Sequence, residues 1–314
     1  MPSNLAQPLV LTLHTAARGS DNLRGIFAML AAMACFVCGD TAIKYAGRVL
    51  PVGEMMFVRG LFASILIIAS AFAFGALRQA HLIVSPAMAL RTLGEIGATI
   101  LFFLALVRMP FADVNAIGQF TPLAVTAGAA LFMGEEVGWR RWLAAATGLA
   151  GVLIIIRPGT SAFNSGALFV IGSVICVTIR DLITRRMGLA LPALLIAAVS
   201  SVSVSLSGLL LLPFESWRVP SPYQALLLGF AAVCIFGGYY SIITAMRRGE
   251  IAVVSPFRYT ATLFAVVSGY IVFNEIPDGV TACGILIVMA AGLYTLHRER
   301  VRMRDRRAAR LAAS

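Results

Sequence analysis

Ten segments of about twenty apolar residues follow one another along the chain, and this repetition constrains the fold more than any other feature. A helix needs about 20 predominantly apolar residues to cross the hydrocarbon core of a bilayer. Short connections join the segments, so we predict an all-α integral membrane protein with ten transmembrane helices in one compact bundle. The segments are residues 25–43, 53–74, 91–109, 114–133, 139–156, 165–184, 191–213, 222–246, 252–274 and 278–297.

The charge content also indicates a protein that lives in lipid. Charged residues make up 12% of the chain, about half of the roughly 25% found in an average soluble domain. The net charge of +11 is compatible with a nucleic-acid partner, but seven of the arginines fall in HRERVRMRDRRAAR, directly after an apolar segment. Arginines beside a membrane set topology and bind anionic headgroups. We therefore expect the lipid bilayer as a partner, and no nucleic acid.

Cysteine and histidine do not form a recognisable reactive site. All five cysteines lie inside apolar runs, and the three histidines lie outside the predicted spans or at their ends. Cys35 and Cys38 form a CxxC, a redox or metal spacing in soluble proteins, but no second pair or nearby histidine completes it. Buried cysteines often act as small hydrophobic residues. The sequence predicts no metal site and no cofactor.

Lysine and arginine are distributed unevenly between the two sides of the predicted bundle. If both termini are cytoplasmic, 17 of the 25 basic residues lie on the cytoplasmic side, five lie on the other side and three lie within spans. Cytoplasmic loops of membrane proteins carry an excess of basic residues. The sequence therefore predicts a multi-pass protein of the cell inner membrane with both termini in the cytoplasm.

The two halves of the chain resemble each other around an acid that ends a span. FMGEEVGWRRWLAAATGLAG (132–151) aligns with VFNEIPDGVTACGILIVMAA (272–291), and Glu135 then matches Glu275 at an offset of 140 residues. Each half holds five spans, an odd number, so the second half is inverted relative to the first. Alternatively, the two acids are simply solvated at the interface or paired with a nearby arginine.

These stretches are similar to the EamA repeats of the drug/metabolite transporter superfamily. WRRWLAAATGLAGVLIIIRPG resembles the first repeat, FNEIPDGVTACGILIVMAAGLY resembles the second, and the opening FVCGDTAIKYAGRVLPVGEMMFVRGLFAS is also similar. The second repeat departs from the pattern at Ala282, where the first has Trp142. The resemblance covers Arg24 to His297. It implies a cytoplasmic tail at 1–24, a first repeat at 25–156, a second at 165–297 and a basic tail at 298–314.

Six charged residues fall inside the predicted spans. A charge at mid-span costs about 2.5–3.5 kcal/mol on insertion scales, so such residues pair with one another or line a wet cavity. Arg180 and Asp181 are adjacent and point in different directions on a helix, so we expect different partners and a snorkelling role. The depths of Asp40 and Arg59 allow them to meet. The six are Asp40, Arg59, Glu95, Arg180, Asp181 and Arg258.

The stretch VSPFRYTATLF places Pro256 two residues before Arg258. Proline removes a helical hydrogen bond, and interrupted helices expose backbone groups that hold ligands in transporters. Pro122 can interrupt the equivalent span of the first repeat. We expect Arg258 to line a cavity and to meet Glu95 or a substrate, with a purely structural ion pair as the alternative.

Glu95 has two interpretations. It lies four residues after Arg91, hence on the same helix face, and can simply pair with it. It can instead face the cavity as a proton-coupling acid, because acids along transport routes commonly relay protons.

Aromatic side chains near Arg258 offer flat faces and hydroxyls to a ligand, although bundle packing or an interfacial belt is the alternative role for each of them. The predicted substrate-binding residues are Arg258, Tyr259, Phe257, Tyr239, Tyr240, Gln119 and Asp40, with Glu95 as the coupling residue.

The favoured function is a secondary transporter for a small polar or planar metabolite, working by alternating access. No GxxxxGK[ST] motif is present, so the chain is not itself an ATPase. The inverted repeat disfavours a channel or a non-transporting subunit, and no HExxH or GxSxG motif supports an intramembrane enzyme. The resemblance implies riboflavin as the first expected substrate. S-adenosylmethionine and amino acids, imported or exported, are its alternatives.

The predicted topology can be tested with reporter fusions. Fusions at Ala80 and Ser314 should report a cytoplasmic location, and a fusion at Gly47 should report the opposite side, because one span separates Gly47 from the N-terminal tail. A cytoplasmic reading at Gly47 would contradict the assignment of the repeats.

Overall fold

A computed structural model describes residues 6–73, 75, 85–135, 137–161, 163–187, 193–248 and 250–312. Within these ranges all regular structure is helical, and ten helical spans are long and apolar enough to cross a membrane. Two spans are each built from two helical pieces, which gives twelve α-helices. They are α1 (Ala6–Ala46), α2 (Val52–Ala73), α3 (Pro86–Leu106), α4 (Phe111–Gly118), α5 (Thr121–Met133), α6 (Trp139–Ile156), α7 (Gly166–Met187), α8 (Ala193–Leu209), α9 (Pro222–Arg248), α10 (Ile251–Val254), α11 (Thr260–Phe273) and α12 (Gly279–Ala312).

The predicted number of spans is confirmed, and the first and last helices of the chain are longer than the predicted spans. Helix α1 begins at Ala6, within the segment predicted as a tail, and α12 continues to Ala312 through the basic stretch. No proline or glycine lies between His297 and Ala312. The helix therefore meets no residue that would end it at the membrane surface.

The contacts between helices follow the inverted repeat. Helix α1 packs along α9 in the same way as α7 packs along α3, and the contact of α1 with α11 matches that of α7 with α5. The pairs α2–α8 and α6–α12 join equivalent helices of the two halves. The protein is therefore an all-α membrane bundle of two five-helix repeats that interleave around a pseudo-twofold axis.

Both spans that contain the predicted proline interruptions are broken. In the first repeat α4 ends at Gly118 and α5 begins at Thr121, directly before Pro122. In the second repeat Pro256 lies in a 3-10 turn, Ser255–Tyr259, between α10 and α11. In each break a threonine hydroxyl donates to a carbonyl three residues earlier, Thr121 to Gly118 at 2.7 Å and Thr260 to Phe257 at 2.6 Å.

Helices α6 and α12 cross through small residues on the pseudo-twofold axis. A Cβ atom on Gly284 would lie 2.9 Å from the Gly151 carbonyl oxygen, and one on Gly151 would lie 3.0 Å from the Gly284 carbonyl oxygen. At the repeat offset of 140 residues, Ala144 matches Gly284 and Ala291 matches Gly151, and these two alanines are buried in one cluster. Small residues let helix backbones approach closely in lipid, and this crossing joins the two repeats.

Replacing Gly284 with valine should destabilise the bundle by about 1–3 kcal/mol, because the added atoms meet backbone that cannot move aside. Gly279→Val is the matched control. Gly279 lies on the same helix as Gly284, and a Cβ atom at Gly279 would meet nothing within 4 Å. The measurement is the melting midpoint of each variant in detergent, followed by size-exclusion chromatography. Equal midpoints for the two variants would contradict a tight crossing.

Candidate functional site

Charged side chains from both repeats converge inside the membrane-spanning part of the bundle. We call the side where α1 ends and α2 begins the first-loop face, and the opposite side the terminal face. At 1.5 Å per residue, Asp40 and Arg59 lie about 10 Å from the first-loop face, and Glu95 and Arg180 lie about 16–21 Å from it. The charged residues are Asp40 on α1, Arg59 on α2, Arg91 and Glu95 on α3, and Arg180 and Asp181 on α7.

We call Asp40 and Arg59 the shallower level, and the charged residues farther from the first-loop face the deeper level. The deeper level is a closed network around Glu95. One carboxylate oxygen accepts from Arg91 at 3.2 Å and the other from Arg180 at 3.0 Å. Arg91 also donates to the hydroxyl of Ser200 on α8, at 2.5 Å. Each oxygen of Glu95 therefore has a guanidinium partner, and the network ties α3 to α7 and α8.

The expectation that Arg180 and Asp181 need different partners is wrong. Arg180 Nη2 lies 2.9 Å from Asp181 Oδ1, and Arg180 also holds Glu95. Adjacent residues do leave the helix in different directions, but the four-bond stem of arginine is long enough to bring its guanidinium back to a neighbouring carboxylate.

The shallower level is not closed. The Arg59 guanidinium lies over the Phe103 ring at 4.8 Å, and its Nε is buried without a hydrogen-bond partner. Asp40 lies on α1 at the same depth as Arg59 on α2. Among the described residues no ion pair or hydrogen bond joins the two, so Asp40 and Arg59 share a level of the bundle while each keeps unused hydrogen-bonding capacity.

Tyr239 lies beside both levels. The charges of Glu95, Arg180 and Arg59 all act on its hydroxyl, and its ring meets Phe36 of α1 edge-on, with centroids 5.4 Å apart. The residue is 50% exposed although it is surrounded by these groups. Tyr239 therefore combines an exposed surface with a position close to the charged residues.

Tyr240 and Tyr259 lie elsewhere. Tyr240 is 68% exposed and follows Leu226 and Val233 at intervals of seven on the outer face of α9, an arrangement typical of lipid contact. Tyr259 is 3% exposed, and its hydroxyl occupies the space where Gly292 lacks a side chain. Tyr240 therefore lies on the outer face of α9, and the Tyr259 side chain fills a contact between helices.

Arg258, Phe257 and Gln119 belong to the two helix breaks. The Gln119 amide donates to the Arg258 carbonyl at 3.4 Å, so the two breaks meet. Phe257 packs against the main apolar core. The Arg258 side chain is exposed and forms no ion pair with any described residue. These three residues lie together at the contact between the repeats.

The expected pair of Arg258 with Glu95 is not formed, because the two residues differ in depth. Arg258 is three residues after Ser255, where its span begins, and so lies about 6 Å from the terminal face. Glu95 is nine residues after Pro86, about 14 Å from the same face. Both carboxylate oxygens of Glu95 already form ion pairs with other arginines, Arg91 and Arg180.

The repeat-equivalent acids form equivalent ion pairs at opposite faces. Glu135, which follows α5, pairs with Arg185 at the end of α7 at 3.3 Å. Glu275 follows α11 and pairs with Lys44 at the end of α1 at 2.8 Å. Span four thus meets span six at the terminal face, and span nine meets span one at the first-loop face, as the pseudo-twofold axis requires.

The two equivalent pairs differ strongly in burial. The side chains of Glu135 and Arg185 are 48% and 49% exposed, whereas those of Lys44 and Glu275 are 9% and 28% exposed. Glu275 also accepts from the Phe111 amide at the start of α4, at 2.7 Å. The first-loop face is therefore held by a buried, multiply bonded pair.

A second polar contact lies beside the buried pair. Arg157, just after α6, binds Asp278 and the Thr281 hydroxyl at the start of α12. The hydrogen bond from Arg157, together with those from Thr281, holds the pKa of Asp278 well below its usual range. This contact joins the fifth spans of the two repeats at the same face.

Sequence reasoning missed the roles of Lys44 and Ser200. Lys44 lies just after the first predicted span and 231 residues from its partner Glu275. The alignment of Glu135 with Glu275 was the available indication, since an acid ending a span implies a basic partner nearby. Nothing in the sequence singles out Ser200.

Replacing Glu275 with glutamine should lower stability by up to about 3–5 kcal/mol, because the charge of Lys44 is then left buried without a partner. The matched change Glu135→Gln should alter stability by less than about 1 kcal/mol, since its pair is exposed to water. Melting midpoints of the two purified variants provide the measurement. A similar midpoint shift in both variants would contradict the difference in burial.

Comparisons with known proteins agree with this architecture. The model of the EamA-like transporter family matches residues 23–157 and 164–296. An S-adenosylmethionine uptake transporter of Rickettsia prowazekii (strain Madrid E) is 24% identical, over 90% of this chain and 95% of that protein. The pseudopaline exporter CntI of Pseudomonas aeruginosa (strain UCBPP-PA14) is 26% identical, over 83% and 93%. A riboflavin transporter of Rhizobium johnstonii is 26% identical, over 63% and 66%. With two matched repeats that together span most of its length, the chain belongs to the EamA-like transporter family.

Proposed function

We propose that the chain is a secondary transporter that moves a small polar metabolite across the cell inner membrane by alternating access. The observation that carries the proposal is the convergence of charged side chains from both inverted repeats in the middle of the bundle. Intramembrane charges mark substrate and ion pathways, and sites at the interface of inverted repeats serve alternating access. The substrate route then passes between α1, α2 and α3 of one repeat and α7 and α9 of the other.

The topology follows from the charge bias. We place the terminal face in the cytoplasm, because Arg185 and Arg186 end α7 there and Arg247 and Arg248 end α9 there. The buried pair of Lys44 and Glu275 then lies on the opposite side.

S-adenosylmethionine and riboflavin are the first substrates to test. The S-adenosylmethionine transporter of Rickettsia prowazekii aligns over nearly its whole length, whereas the riboflavin transporter of Rhizobium johnstonii aligns over about two thirds. Uptake is the direction in our proposal, although the relatives include an exporter. Moving a substrate across the membrane without changing it needs no catalytic residue, so we do not propose an enzymatic activity.

The direct test is uptake by proteoliposomes that contain the purified protein. Labelled S-adenosylmethionine and labelled riboflavin are supplied in turn, with and without an imposed proton gradient. Rescue of a riboflavin auxotroph at limiting vitamin tests the second substrate in cells. Counterflow or accumulation of either compound above protein-free liposomes supports the proposal. Downhill flux that shows neither saturation nor counterflow indicates a channel instead.

We propose Glu95 as the acid that couples a proton to transport. Glu95→Gln should abolish accumulation driven by a pH gradient while sparing substrate exchange, because glutamine keeps the shape and loses the titratable proton. Asp181→Asn is the matched control, since Asp181 also binds Arg180 but is more exposed. Accumulation and exchange are measured on the same proteoliposome preparations.

Two results would reject a coupling role for Glu95. Undiminished pH-driven accumulation in Glu95→Gln removes the role directly. Loss of accumulation and exchange together, with a lowered melting midpoint, assigns Glu95 to holding α3 against α7.

A further inference from the structure

Asp40 and Arg59 differ from the other charges of the site in being left open. Glu95, Arg91 and Arg180 satisfy one another, and Asp181 is held by Arg180. Arg59 has a buried Nε with no partner and a guanidinium that rests on a ring face. Asp40 has no hydrogen bond or ion pair with a described residue. One acid and one base at the same depth are thus available for a ligand.

The total charge of the site narrows the class of ligand. Three acids and three arginines make up the two levels, so their formal charges cancel. A ligand with a large net charge would leave that charge uncompensated in a medium of low dielectric constant. A ligand that carries separated opposite charges can satisfy both open groups without disturbing the balance.

We infer that Asp40 and Arg59 bind the amino-acid headgroup of a zwitterionic metabolite, and this inference rests on the proposed transport function. Asp40 accepts hydrogen bonds from the ligand ammonium group, and Arg59 donates to the ligand carboxylate. Hydrogen bonds between ionised partners are about twice as strong as neutral ones, and a guanidinium matches a carboxylate with two parallel bonds.

The neighbouring aromatic residues indicate where the rest of the ligand lies. Tyr239, which lies close to the charged residues in the bundle, forms an edge-to-face pair with Phe36. Half of the Tyr239 surface is accessible, which leaves a ring face and a hydroxyl for a flat, hydrogen-bonding group. The site therefore fits a net-neutral amino acid that carries a planar ring, which describes S-adenosylhomocysteine, whereas S-adenosylmethionine adds a sulfonium charge.

Binding to the purified protein tests the inference separately from transport. Isothermal titration uses S-adenosylhomocysteine, which has both headgroup and nucleoside, and 5′-methylthioadenosine, which has the nucleoside alone. Riboflavin, which is planar and carries no zwitterion, is the third probe. We expect S-adenosylhomocysteine to bind at least tenfold more tightly than 5′-methylthioadenosine.

Charge-removing variants assign the two roles. Asp40→Asn and Arg59→Gln should each weaken S-adenosylhomocysteine binding about ten- to hundredfold, as expected for the loss of hydrogen bonds to a charged group. Both should leave 5′-methylthioadenosine binding unchanged. Glu135→Gln, at the terminal face, is the control that should leave both affinities unchanged.

The double variant Asp40→Asn/Arg59→Gln separates ligand binding from a structural ion pair. If the residues only neutralise each other, removing both charges should restore the affinity and melting midpoint lost in the single variants. If each binds one end of the headgroup, the double variant should bind at least as weakly as the weaker single variant. Restored affinity in the double variant overturns the inference.

Two further outcomes also overturn it. Equal affinities for the two adenosine compounds would show that the headgroup is not recognised. Riboflavin binding that is insensitive to both single variants, with no binding of S-adenosylhomocysteine, would do the same. In either case, saturable uptake by proteoliposomes would leave the transport function standing. Absence of saturable uptake and counterflow for both test substrates would count against the transport function instead.

Discussion

The architecture depends on one constraint: charges inside a membrane bundle must find partners within it. Glu95 meets this constraint with two arginines that come from different repeats. Because Arg91 lies on α3 and Arg180 on α7, the carboxylate fixes the distance between two helices that hydrophobic packing alone would hold less specifically. In lipid the apolar faces gain little from contacting each other rather than acyl chains. The polar network therefore supplies much of the specificity of the arrangement.

Because the repeats interleave, a small number of charged residues can connect helices of both halves. Each long contact joins a helix of one half to a helix of the other, so neither half has a polar interior of its own. The equivalent helices α6 and α12 cross beside the pseudo-twofold axis, with the backbones of Gly151 and Gly284 in close approach. Away from that axis lie the two helix breaks and the charged levels. The axis is packed tightly, and the polar groups lie around it.

Much of the fold was predictable, because the apolar segments are long and each half contains an odd number of them. Both helix breaks also followed from sequence, since proline removes a backbone donor wherever it stands. The pairing of Glu95 with Arg91 followed from their spacing of four residues. These predictions depend on local rules that act within one helix.

The predictions that failed depend on depth and on partners far along the chain. Arg258 was expected beside Glu95, but its span begins only at Ser255 and leaves it close to the terminal face. The packing of Tyr259 beside Gly292 also has no local signal in the sequence. No local pattern identifies Lys44 as the partner of Glu275.

The two equivalent ion pairs also differ in their contact with water. The pair of Lys44 and Glu275 is largely buried, and the pair of Glu135 and Arg185 is exposed. In the proposed transporter, an exchange of conformations between the repeats would hydrate Lys44 and Glu275 and dehydrate Glu135 and Arg185, so the two end states would differ in energy. Salt screens the exposed pair more than the buried one, so in the proposed mechanism ionic strength would shift the balance between the two end states.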